Sequence, residues 1–292
     1  MSQPPCTVHS IAMALAALLS LGCSDDGTNG QGGTVQRTLD NCETDIADDV
    51  PDFYKTYFRC VDIHMSGGDV VIHTTDLPPH PSAYYAEDDP NHVAFDTSGG
   101  RAPIPGGSGL VEQSVTVTIP TSPVAKGITI GSSLIDGTLM SSDEELPGGA
   151  HGVALNSVAF FSGAAGMGMN IADEVDTLDA YQAHHAMGTY HYHGQTPGPL
   201  EVLERADLVA STVPGSAEIE LYAVMCDGTV VLGCTELDGS PLDDADMDAQ
   251  GGHVHDISDG AVTHFAARYH THVCPGMAAD FSPEIQYHTT CP

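Results

Sequence analysis

Gly188-Thr189-Tyr190-His191-Tyr192-His193-Gly194 is bounded by glycines and alternates Tyr with His between them. An extended strand sends successive side chains to opposite faces. Tyr190 and Tyr192 therefore share one face, and His191 and His193 share the other. Two imidazoles two residues apart on one face can converge on a metal ion or a polar substrate. Near the C-terminus, Arg268-Tyr269-His270-Thr271-His272-Val273 repeats Tyr-His-x-His. Each copy has histidines upstream: His184 and His185 before the first, His253 and His255 before the second. One His-x-His is more often a hydrogen-bonded pair than a ligand site. Two copies in a chain with 16 histidines form a constellation.

Outward from these strands, composition points to a turn-rich β protein. The 292 residues include 32 Gly and 19 Pro but no Trp, which favours strands and turns over long helices. Val70–Thr75 and Val111–Ile119 read as strands. Ala217–Cys226 does too, and Asp227-Gly228 is a hairpin signal leading back through Val230-Val231-Leu232. Pro199–Ala210 has helical spacing behind a proline, and a short helical turn fits between Cys42 and Cys60. The fold expected is mainly β: a single irregular sandwich-like or barrel-like domain with few short helices, stapled by disulfides.

With 7 Lys+Arg against 40 Asp+Glu, the formal net charge is −33. Such a surface repels nucleic acid and anionic lipid and favours cations. Ile11–Gly22 is too short to span a bilayer and fits the apolar core of a signal peptide. It ends at Ser20-Leu21-Gly22-Cys23, similar to a bacterial lipoprotein cleavage box with Cys23 lipidated. The expected organisation is a signal peptide over 1–23, a Gly/Asp/Asn-rich tether over 24–36 and one domain over 37–292. The protein is then exported to the cell envelope and meets the membrane only through a lipid anchor. Cys42, Cys60, Cys226, Cys234, Cys274 and Cys291 remain for disulfides, which an oxidising compartment permits. Proximity in sequence suggests Cys42–Cys60, Cys226–Cys234 and Cys274–Cys291. The absence of Cys-x-x-Cys argues against a thiolate metal site.

Neutral imidazole ligates Zn, Cu, Fe and Ni. His191, His193, His270 and His272, two from each strand, would bring four imidazoles to one face, with His253 or His255 as a further ligand or supporting group. The ion expected is Cu or Zn. Asp256 could orient an imidazole, with His185 nearby. Tyr190, Tyr192 and Tyr269 would pack on the opposite face or support the site. The acidic loop around Asp244, Asp246 and Asp248 invites Ca, but Ala249 and His255 stand where an EF-hand needs Gly and Glu. Met167, Met169 and Met187 are candidate soft copper donors, although gap-filling is the commoner role of Met. There is no nucleophile elbow, His-Glu-x-x-His, phosphate loop or dinucleotide fingerprint.

Taken together, these landmarks resemble the YHYH domain family of largely uncharacterised bacterial proteins, over roughly residues 70–292. Gly188–Gly194 carries its signature. Asp76-Leu77-Pro78-Pro79-His80, Asp89-Pro90-Asn91 and Gly152-Val153-Ala154-Leu155-Asn156-Ser157-Val158 follow its order, as do Tyr222–Leu237 and Gly252–Val273. Ser157 replaces a usual Gly, and Thr229–Gly233 lacks the Pro and Tyr of the Asp-Gly segment. The resemblance implies a domain type and no settled activity. Three functions stay open: an envelope metal-binding protein, a metal-assisted hydrolase or oxidase using the same histidines, or an adhesion domain with a buried His/Tyr network.

Overall fold

The computed structural model describes residues 35–105, 109–139, 143–242, 244–289 and 291. The expected signal peptide, Cys23 and all but the end of the tether lie outside the described residues. The described chain is mainly β, as expected, with two sheets that do not close into a barrel. The smaller sheet orders four strands β1-β2-β3-β4: Asp45–Ile46, Asp62–Ser66, Asp69–Thr74 and Val115–Pro120. Between β1 and β2 lies the short helix α1, Asp52–Tyr57, which buries Phe53, Tyr54 and Tyr57. The β2–β3 hairpin turns at Gly67-Gly68, both at positive φ (62° and 99°), as a two-residue loop requires. Val70 and Ile72 of β3 alternate inward with Val117 and Ile119 of β4. They join one hydrophobic core with the second sheet.

The second sheet has eight strands: β5 Gly152–Ala154, β6 Ala159–Phe160, β7 Ala183–Ala186, β8 Thr189–Tyr192, β9 Leu221–Met225, β10 Val230–Leu232, β11 Gly252–Ser258 and β12 Thr263–His272. Their order is β11-β12-β10-β9-β5-β6-β8-β7, a palindrome about the β9–β5 pair. There Val153 opposes Val224, with Gly152 opposite Met225 and Ala154 opposite Ala223. The registers join one cross-strand row through the whole sheet: His184–His191–Ala159–Val153–Val224–Val230–His270–His253. Cross-strand partners point to the same face, so the row carries two histidine pairs on one face, one near each edge.

Between β8 and β9 lies α2, Pro197–Arg205, with Thr196 accepting from Gly198 N as the N-cap and Pro at the first helical position. It starts before the predicted Pro199. It stops short of Ala210 because Asp207 adopts a left-handed φ of 56° and Leu208 N bonds back to Leu203 O, a common helix stop.

Three disulfides form, but only Cys42–Cys60 pairs as expected; the others are Cys226–Cys291 and Cys234–Cys274. The hairpin register explains the correction. Val224 opposes Val230, so Cys226 sits at the turn while Cys234 lies beyond the far end of β10. Leu232 is registered in parallel with His272. Continuing both chains past that pair brings Cys234 beside Cys274. Each bridge contributes about 2–4 kcal/mol by constraining the unfolded chain.

Candidate metal centres

The two Tyr-His-x-His strands do not meet. β8 and β12 stand five positions apart in the sheet, about 24 Å at ~4.8 Å per strand in a flat sheet. The expectation of one four-imidazole site is corrected to two separate groups: His184, His191 and His193 at one end, and Glu236, His253, His270 and His272 at the other.

In the second group, β11 and β12 set His253 opposite His270, and His272 follows on the same face. His253 Nε2 lies 2.8 Å from His270 Nε2 and 3.2 Å from His272 Nε2. Glu236 meets all three: Oε1 is 3.1 Å from His253 Nε2 and 3.4 Å from His272 Nε2, and Oε2 is 3.2 Å from His270 Nε2. All three imidazoles are buried, and Glu236 is mostly so. Each Nδ1 faces an acceptor: Asp246 Oδ1 for His253 (3.2 Å), Arg268 O for His270 (3.1 Å) and Gly233 O for His272 (2.9 Å). These acceptors hold the proton on Nδ1 and leave a lone pair on every Nε2.

Three lone pairs and a carboxylate thus converge in a mostly buried pocket, and a cation at their centre would resolve the repulsion. A tetrahedral ion with bonds of ~2.0–2.1 Å separates its donors by about 3.3–3.4 Å, the scale of the spacings found. The protonation preferences follow from the same packing. Burial would raise Glu236, but the three imidazoles that face it hold it below the usual carboxylate range. Burial works to lower His253, and Glu236 and Asp246 override it, so its pKa rises. For His270 burial wins over Glu236 and the pKa falls.

The first group has a similar construction. The two-residue turn Met187-Gly188, with φ of 51° and 93°, sets His184 opposite His191, and His193 follows on the same face. His184 Nε2 lies 3.3 Å from His193 Nε2, and Glu174 Oε2 lies 3.4 Å from His184 Nε2. Again each Nδ1 faces an oxygen: Thr177 Oγ1 for His184 (2.6 Å), Thr189 O for His191 (3.1 Å) and Ser162 O for His193 (2.7 Å). The Thr177 hydroxyl donates to Glu174 O, so its oxygen accepts from His184. Phe161 stacks on His191 with ring centroids 3.7 Å apart. Burial pushes His184 down to about 3, helped by His193 and His185, and His193 to about 4. It also holds His191 well below its usual value. All three are neutral near pH 7, the form that ligates.

Other predicted site residues fall elsewhere. His255 is exposed and pairs with Asp246 at 3.1 Å, forming a third, mostly exposed group with His253. Asp256 touches no imidazole: it accepts from Ala267 N at 2.7 Å, bracing the stretch where the β11–β12 register shifts. His185 has turned to the other face, edge-on to Tyr84 with centroids 5.0 Å apart, and neither ring nitrogen has a hydrogen-bond partner. The tyrosines also lie across the sheet from the imidazole row. Tyr190 donates to Asp179 (2.7 Å), Tyr269 to Asp248 (2.7 Å), and Tyr192 receives Asn156 Nδ2 (3.0 Å). They brace the strands rather than the ligands. The carboxylates of the supposed Ca loop are also taken: Asp246 by His253 and His255, Asp248 by Tyr269 and the N–H groups of Gln250 and Gly252.

Sequence reasoning left His184 outside the ligand set and missed Glu236 and Glu174. His184 was recoverable, since a two-residue loop at Met187-Gly188 forces it opposite His191. The glutamates carry no local signal. No family model, curated protein or solved structure matches the chain, and the chemistry of the two groups is the guide to function.

Proposed function

We propose that this chain is an exported, lipid-anchored metal-binding protein of the cell envelope, of the YHYH type it resembles, holding Zn²⁺ or Cu²⁺ at Glu236, His253, His270 and His272. The carrying observation is the convergence of three Nε2 lone pairs and one carboxylate, each imidazole fixed by an acceptor on its other nitrogen. Three nitrogens and one hard oxygen suit a borderline divalent ion, and among the described residues no cysteine joins the group to favour Cu(I). Four protein donors complete a tetrahedron and leave no position for a substrate water, which supports binding over catalysis. Three disulfides fit an oxidising compartment. No described helix is long and apolar enough to cross a membrane.

The test is elemental analysis of the chain purified without a polyhistidine tag, beside a His270→Ala/His272→Ala variant. The expected result is Zn or Cu in the wild type and one ion fewer per chain in the variant. Absence of metal from both after Zn²⁺ and Cu²⁺ are supplied would exclude the proposal. It would leave the histidines as a hydrogen-bonded network.

A further inference from the structure

We infer that the chain holds a second, independent divalent ion of the same class at His184, His191 and His193, with Glu174 as its fourth ligand and the counterpart of Glu236. This rests on the metal reading of the Glu236 centre and adds to it a site, a ligand and a stoichiometry.

The support is a correspondence that reaches well beyond the histidines. The β5–β6 hairpin pairs Val153 with Ala159, and β9–β10 pairs Val224 with Val230. Their turns match: Ser157 and Gly228 take φ of 76° and 89°. Ser157 N bonds Ala154 O at 3.0 Å, and Gly228 N bonds Met225 O at 2.9 Å. Ala159 then lies in parallel register with His191, and Val230 with His270. Upstream, Asp179-Ala180-Tyr181-Gln182-Ala183-His184 matches Asp248-Ala249-Gln250-Gly251-Gly252-His253. Asp179 N bonds Ala183 O at 2.7 Å, Asp248 N bonds Gly252 O at 2.8 Å, and Gln182 and Gly251 both take positive φ (57° and 70°). In each half the aspartate accepts the hydroxyl of the tyrosine that opens Tyr-His-x-His. Even the Nδ1 acceptors correspond: Thr189 O with Arg268 O, and Ser162 O with Gly233 O.

One member of the Glu236 centre then awaits its counterpart, a carboxylate beside the imidazole equivalent to His253. That imidazole is His184, and Glu174 meets its Nε2 from the same connection of the fold, between the hairpin and the following strand pair. The two glutamates have similar side-chain exposure, 15% and 18%. The segment that brings Glu174 also brings Thr177 to His184 Nδ1, so one stretch of chain addresses both nitrogens of this ligand. Five strand spacings of ~4.8 Å exclude a ligand shared between the centres.

The experiment is native mass spectrometry and Zn²⁺ titration of the full chain, with electron paramagnetic resonance of the Cu²⁺-loaded form. The wild type is expected to take two ions, and His191→Ala/His193→Ala and His270→Ala/His272→Ala one each. The Cu²⁺ spectrum should be a sum of two signals without magnetic coupling. Glu174→Gln, near-isosteric and on a partly exposed side chain, should weaken one ion about tenfold and change one signal only. One ion per chain, lost only with His270 and His272, would overturn the inference and leave the proposed function standing. No ion at all would overturn both. Unchanged affinity and spectrum in Glu174→Gln would remove Glu174 as a ligand.

Discussion

The halves of the eight-stranded sheet place their imidazoles alike and close them differently. At one end Glu236 meets all three Nε2 atoms and Asp246 backs His253. At the other, Glu174 meets His184 and a neutral hydroxyl, Thr177, backs it. Strand register fixes the histidines, so both halves inherit the same triangle. The carboxylate comes from a connection, and the connections differ. From Leu232 to Glu236 the chain is short and is tied down by Cys234–Cys274. From Phe160 to Glu174 it is longer and ends in the short 3₁₀ turn Ile171–Asp173, with a second, Val175–Thr177, directly after Glu174. Backbone pairing sets donor geometry, and loop length sets how firmly the last ligand is held.

The largest expected effect comes from removing the triangle at one end. His270→Ala/His272→Ala should abolish binding at the Glu236 centre and leave the other ion. An ion at about 100 times its dissociation constant stabilises the fold by about 2.7 kcal/mol. Adding a chelator should therefore lower the wild-type unfolding temperature by several degrees, and by less in the variant. Equal chelator shifts in the two proteins would show that the Glu236 centre contributes nothing to metal-linked stability.

A smaller effect separates the carboxylates. Glu236→Gln should weaken its ion by about a hundredfold or more, because the charge lost faces three ligands. Glu174→Gln should cost about tenfold. The scale is that of groups supporting a metal site, 10–100-fold, and greater for a direct ligand. Calorimetric titration of each variant measures both, and equal losses would mean the two connections hold their carboxylates equally well.

Acid should then divide the centres. A protonated imidazole cannot ligate, so protons begin to compete with the ion once pH falls below the pKa of the most basic histidine of its site. His253 has a pKa above its ordinary value of 6.5, while His184 and His193 lie at about 3 and 4. Glu174, raised by burial and Asp173, protonates before its histidines. The Glu236 centre should thus release its ion first as pH is lowered from 7 to 4. Metal content per chain against pH should fall in two steps, and His270→Ala/His272→Ala should remove the step at higher pH. Loss of both ions in one step would break the distinction.

Much of the half-sheet logic was legible in the sequence. Period-two alternation put histidines on one face and tyrosines on the other, and Asp227-Gly228 marked its hairpin. Long-range register was not legible. The row from His184 to His253 passes through three strand pairs distant in sequence, and those pairings separate the two Tyr-His-x-His strands. The same blindness produced the wrong partners for Cys226, Cys234, Cys274 and Cys291, because Cys234 meets Cys274 through a parallel pairing that no local turn announces. Glu236 and Glu174 were invisible for a related reason. In a chain with 40 acidic residues, only the folded position of a loop distinguishes a ligand from a solvated carboxylate.

The smallest expected effect lies one layer out, where the halves differ by a charge. Asp246 Oδ1 accepts from His253 Nδ1 at 3.2 Å, and its Oδ2 lies 3.1 Å from His255. Its side chain is 51% exposed, so water and salt screen much of its charge. Asp246→Asn keeps an acceptor for Nδ1 but removes the negative charge that makes His253 more basic. Affinity at the Glu236 centre should fall by about tenfold, the low end for such partners, and the pKa of metal-free His253 should fall because it loses a group that favours its protonation. Thr177→Val is the matching change in the other half. It removes the acceptor itself inside a buried site, so it should weaken the other ion at least as much despite involving no charge. If Asp246→Asn leaves both affinity and that pKa unchanged while Thr177→Val weakens its ion, the outer carboxylate serves as a hydrogen-bond acceptor alone. The two halves would then differ only in how their loops deliver Glu174 and Glu236.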